Sequence, residues 1–144
     1  MKGNLLKLQS IKKNNEWCDK DQVLLLACFQ ILVDFIEKEE PQKIVDYKSN
    51  KEHKRQWNEL QTLYRYWKSE RPRMQKDAQK ALRKSGIKMV SDPSENSGVR
   101  SVAIKFTFKD KKAFNLGCRL EDKLDRLDDE MLRRLINMRH HLWC

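Results

Sequence analysis

Glycine is scarce: only Gly3, Gly86, Gly98 and Gly117 occur among the 144 residues. Loops that cradle phosphates need several glycines at short spacing, because their backbone N–H groups must approach the ligand closely. Four scattered glycines cannot write any of those patterns, and neither G-x-S-x-G nor H-E-x-x-H occurs. No C-x-x-C pair joins Cys18, Cys28, Cys118 and Cys144. Reduced, unpaired thiols in an intracellular setting are therefore expected. Long apolar runs are missing as well. The longest, Val23 to Ile36, spans fourteen residues and is interrupted by Gln30 and Asp34. A bilayer span needs about 20. The N-terminus carries no sustained apolar stretch, so no signal peptide is expected and the chain reads as soluble.

What is abundant is charge, chiefly positive. There are 31 Lys+Arg against 21 Asp+Glu, a formal net charge of +10. The excess is local: residues 48–88 hold 13 basic and 4 acidic side chains, a net +9. Length and the full aromatic set fit one folded domain over 17–144 with a core, preceded by a basic N-terminal arm, 1–16.

Periodicity predicts a mainly α chain, a bundle of about four helices with a small β insert near 87–109. The first helix reads as Gln22 to Glu40, offered caps by Asp19 and Asp21 and stopped by Pro41. Its apolar residues surround it on almost every side, which predicts packing on several faces; its acidic last turn, Glu37 to Glu40, predicts fraying or pairing with basic residues. A second helix starts at Ser49 or Asn50 and runs to about Glu70, with His53, Trp57, Leu60, Tyr64 and Trp67 on one seam. Pro72 is expected to break or redirect the chain before a third helix over about 73–85, ended by Gly86. Ser91 to Gly98 reads as a loop. Val102, Ile104, Phe106 and Phe108 alternate as a strand, with Ile87–Val90 or another chain as its partner. The last helix follows the register Leu120, Leu124, Leu127, Met131, Leu135, Met138 and Leu142. Leu142 and Trp143 are expected to seal the bundle or a partner groove.

Opposite the aromatic seam the second helix presents Lys51, Lys54, Arg55 and Arg65, interleaved with Asn58, Thr62 and Ser69. The third carries Arg73, Lys76, Lys80 and Arg83 on one face, with Lys84 beside them. Such stripes suit phosphate oxygens, since each cation releases condensed counterions on contact. A solvated basic face is the plain alternative. No base-reading motif accompanies the stripes, so no sequence-specific readout is expected. Tyr66 points away from the seam and is open to stacking on a base, or to standing half-exposed without a ligand.

Other constellations carry less. Glu121, Asp122, Asp125, Asp128, Asp129 and Glu130 cluster at the start of the last helix, where the dipole favours acids and arginines four residues on, as at Arg126, Arg133 and Arg134, pair with them. His140, His141 and Cys144 lack a fourth zinc ligand, and adjacent histidines do not share a helix face. Cys28 lies within an apolar helix, away from any positioned base. No cofactor, no metal and no coherent nucleophile–base–orienter set is expected, so the chain reads as non-enzymatic.

Three segments stand out together: Glu16 to Glu39 (EWCDKDQVLLLACFQILVDFIEKE), Leu63 to Arg73 (LYRYWKSERPR) and Asp129 to Cys144 (DEMLRRLINMRHHLWC). In this combination and order they resemble a group of small tailed-bacteriophage proteins to which no chemistry is assigned. Leu26 and Cys144 depart from the group's pattern, and the basic third helix with its β insert lies outside it. The resemblance implies a phage accessory protein in the cytoplasm of an infected bacterium, with the three segments in one helical core. The expected function is binding of a polyanion: DNA, RNA or a host ribonucleoprotein. The alternatives are a protein-directed inhibitor of a host defence or nucleic-acid machine, such as a CRISPR nuclease, and a virion or assembly component.

Overall fold

The computed structural model describes residues 6–9, 18–93 and 102–142. It is mainly helical with one small sheet, as the periodicity predicts. In order come α1 (Lys20–Asp34), α2 (Lys51–Arg65), α3 (Arg71–Ser85), β1 (Lys88–Pro93), β2 (Val102–Thr107) and α4 (Lys111–Asn137). A π-helical turn, Phe35–Glu39, extends α1, and another, Tyr66–Glu70, stands between α2 and α3. No helix among the described residues is long and apolar enough to cross a membrane.

The chain forms two compact units, Met1–Glu70 with Arg126–Cys144, and Arg71–Asp125. The first is built on a core of Leu25, Phe29, Leu32 and Phe35 from the first helical segment. Leu60, Leu63 and Tyr66 come from the second, and Met131 and Leu135 from α4. Phe29 stacks on Trp67 with centroids 4.4 Å apart. Each such side chain contributes roughly 1.5–3 kcal/mol when fully buried. Trp57, Tyr64, Trp67 and Leu142 are partly buried and pack against this core. The acidic end of α1 is paired rather than frayed: Glu37 meets Lys68 at 3.0 Å and accepts a hydrogen bond from the Tyr64 hydroxyl at 2.7 Å. The ion pair ties one π turn to the other.

Several expectations are corrected. Pro72 does not break the chain, since residues 51 to 85 are helical throughout. In a regular α turn the proline ring would meet the carbonyl of Lys68. The wider π turn over 66–70 makes room for it, so the irregularity lies before the proline. The first helical segment does pack on several faces, burying Leu25, Phe29, Gln30, Leu32, Val33 and Phe35, and of its described apolar side chains only Leu24 and Ile31 are exposed. Tyr66 neither stands half-exposed nor faces outward. It is buried, and its hydroxyl donates to Asp128 Oδ1 at 2.7 Å. Asp128 is itself buried, so the acidic stretch is not wholly a solvated face. Nor does that stretch open the helix: α4 begins at Lys111 and has no acid in its first turn. Asp110 caps it instead, accepting from Ala113 N–H at 3.0 Å.

In the second unit α3 buries Ala78, Ala81 and Ser85 and ends at Gly86, whose φ of +66° is the left-handed conformation that glycine adopts without steric cost. The chain then enters an antiparallel hairpin with Lys88 opposite Thr107, Met89 opposite Phe106 and Val90 opposite Lys105. Ile87–Val90 thus largely supplies the missing strand. Ser91 to Pro93, read as loop, belongs to β1, with Pro93 at the strand end where a ladder N–H is dispensable. Residues 94–101, most of the expected arm 1–16, and Trp143 and Cys144 lie outside the described residues.

Candidate nucleic-acid interface

The first unit presents a cationic groove whose construction starts at the cap of α2. Asn50 Oδ1 accepts from the His53 N–H at 2.8 Å, fixing where the helix begins and hence its rotational register. Leu60 and Leu63 are then buried, which leaves Lys51, Lys54, Arg55 and Asn58 exposed on the far side. The end of α4 and the 3₁₀ turn Arg139–His141 supply the opposite wall. The resulting groove holds about 1040 Å³ and is lined by Lys51, Lys54, Arg55, Asn58 and Thr62 of α2 with Arg134, Asn137, Met138 and His141. Glu52, Gln56 and Glu59 complete the lining.

Its acids are occupied by neighbours. Arg134 donates to both oxygens of Glu59, Nε at 2.6 Å and Nη2 at 2.8 Å. These hydrogen bonds hold the Glu59 carboxyl below its ordinary range and raise Arg134 above its own. Glu52 accepts from Gln56 Nε2 at 3.3 Å. Arg55 also lies close enough to lower the Glu59 carboxyl, so among the described lining residues Lys51, Lys54 and Arg55 outnumber the acids that Arg134 does not already engage. Asn58 adds an uncharged hydrogen-bonding group. A row of cations and amides is equipped to hold phosphate oxygens.

A second hollow of about 600 Å³ adjoins the first, and Lys54 and Asn58 line both. Tyr47 and Trp57 stack in it with centroids 4.6 Å apart and planes 20° from parallel. Ile44, Val45, Lys43 and Lys48 surround the pair.

The expected site residues are thus distributed. Lys51, Lys54 and Arg55 are brought together. Arg65 lines neither hollow and pairs with Glu70 at 3.3 Å. Arg73, Lys76, Lys80, Arg83 and Lys84 all lie on α3, in the second unit. Arg134, Asn137, His141, Tyr47 and Ile44 escape a reading by segments. Glu130 and Arg134 do have the predicted spacing, but they lie 3.8 Å apart while Glu59 takes the bidentate contact. Among the described residues no group of three or more His, Cys, Asp or Glu could hold a metal ion. Cys18, Cys28 and Cys118 are free thiols, and burial pushes the Cys28 thiol up, away from a reactive thiolate. Comparison with protein-family models, curated proteins and solved structures finds no match to this chain.

Proposed function

We propose that this chain is a non-enzymatic, phage-type accessory protein that binds a nucleic-acid backbone in the cytoplasm of an infected bacterium. One observation carries the binding: Lys51, Lys54 and Arg55 line a single groove in which Arg134 already neutralises Glu59. The α3 cations add further backbone contacts. The phage setting rests on the resemblance of the three segments. Binding without strong sequence preference follows, since cations on phosphates position a duplex or strand without reading it.

Titration of labelled DNA and RNA across a range of salt concentrations tests the proposal. Log affinity should fall linearly with log salt, by about 0.9 per phosphate contacted on duplex DNA and about 0.7 on a single strand. The triple variant Lys51→Gln, Lys54→Gln, Arg55→Gln should bind more weakly with a shallower slope. No binding to either nucleic acid at low salt, or an unaltered triple variant, overturns it.

A second reading has its own support. Met89, Val90 and Phe106 of the hairpin are 68%, 46% and 59% exposed, an apolar content more suited to a protein partner than to phosphate. A host protein retained on the chain after nuclease digestion would favour an inhibitor of a host machine.

A further inference from the structure

Resting on the backbone-binding reading, we infer that the hollow around Tyr47 and Trp57 is a base-stacking subsite, which makes single-stranded nucleic acid the preferred ligand. Three features of the hollow lead there. It is aromatic where the groove is cationic: the Tyr47–Trp57 stack lines it beside Ile44, an apolar side chain 66% exposed. It is rimmed by Lys48 and Lys54, with Asp46 the one acid among its described lining residues and that carboxylate engaged by the Lys48 backbone N–H at 2.9 Å. It also shares Lys54 and Asn58 with the groove, so a backbone held in the groove delivers its next base to the aromatic pair.

A flat apolar surface beside cations and an amide matches a nucleotide in all its parts. The base stacks, the amide meets its edge and the phosphate meets the lysine. About 600 Å³ lies within the range of small-ligand sites. A duplex keeps its base faces within its own stack. Only a single strand, or an unpaired end, can place a base against the exposed side of this aromatic pair. Stacking is tolerant of base identity, in keeping with the lack of any base-reading motif.

The test compares a 12-nucleotide single strand with an abasic strand of equal length and charge, and with a duplex, on the intact protein. The native strand should bind about fivefold or more tighter than the abasic one. Ile44→Glu places a charge in the hollow at an exposed position outside the core, and should bring the native-to-abasic ratio close to one. Because the ratio compares strands of equal charge, the added carboxylate cancels from it. Trp57→Phe, which keeps an aromatic ring against the core, should reduce the ratio part of the way. Equal binding of native and abasic strands overturns the base subsite and leaves the backbone reading intact. A high ratio untouched by both variants places the base contact elsewhere and also overturns it. No binding of any strand at low salt ends both.

Discussion

Tyr66 and Asp128 show what one residue can hide. A wheel drawn through the aromatic seam puts Tyr66 off the buried face, yet the buried line runs Leu60, Leu63, Tyr66. The seam residues Trp57 and Tyr64 lie at its margin, so the aromatic spacing locates the face but sets its centre too far round. Asp128 is more legible. The steps Leu124, Asp128, Met131, Leu135 follow helical spacing, so the register itself puts a carboxylate on the core stripe, and the surrounding acids mask it. Tyr66→Phe removes a buried donor to that carboxylate and should cost about 1–3 kcal/mol in denaturant unfolding, with the groove's affinity unchanged. The Glu59–Arg134 pair predicts a pH effect. Because the folded Glu59 carboxyl titrates below its unfolded value of about 4.3, its stabilisation is complete above that pH. It is lost as pH falls through the depressed folded value. Asp34 and Glu37 act in the same direction: against the opposing effect of burial, Lys38 and Gln30 hold the first down, and Tyr64 and Lys68 hold down the second. Glu59→Gln should therefore lower the melting temperature at neutral pH and flatten, without abolishing, the acid limb below about pH 4.3. An acid limb as steep as that of the parent would show that the pair adds nothing.

At the scale of the elements, caps and strand alternation are readable because they are local. Asn50, Gly86 and the period-two run into Phe106 act through neighbours in sequence. The π turns are not readable, since a helix that widens by one residue keeps nearly the same composition as one that does not. Close helix approach is also hidden. Gly117 is buried within α4, where a residue with the poorest helix propensity after proline needs a reason. The reason is Leu82 of α3: a Cβ at position 117 would lie 2.5 Å from Leu82 Cδ2 and 3.2 Å from its backbone nitrogen. On propensity alone Gly117→Ala should stabilise by up to about 1 kcal/mol. The contact reverses the sign, so the expected result is a lower melting temperature. Adding Leu82→Ala removes the side-chain part of the clash, and the double variant should be more stable than the sum of the two single effects. A stabilised single variant would mean that the two helices separate at little cost.

For the whole molecule the sequence shows that the net charge of +10 is local, but its division is not visible there. Thirty-five consecutive helical residues, 51 to 85, carry both cation sets, and the boundary between compact units falls within that stretch, after Glu70. No composition shift marks it. The two sets can consequently be tested separately. Replacing Arg73, Lys76, Lys80 and Arg83 by Gln takes the net charge from +10 to +6 while keeping good helix formers on the helix surface. Stability should move by no more than about 0.5 kcal/mol per site. If these cations meet phosphates, affinity at low salt should drop and the salt slope should shrink by about 0.7 for each single-strand phosphate no longer held. The native-to-abasic ratio should stay as it is, because Tyr47 and Trp57 belong to the other unit. The groove triple variant should also give a shallower slope with the ratio kept, since both strands lose the same phosphate contacts, whereas Ile44→Glu and Trp57→Phe should lower the ratio with little change in slope. Measuring affinity against salt for all of these variants on both strands therefore separates holding the backbone from stacking the base. Unaltered affinity and slope in the quadruple variant would assign the α3 stripe to a solvated face and leave the α2 groove as the sole anion-binding surface under test.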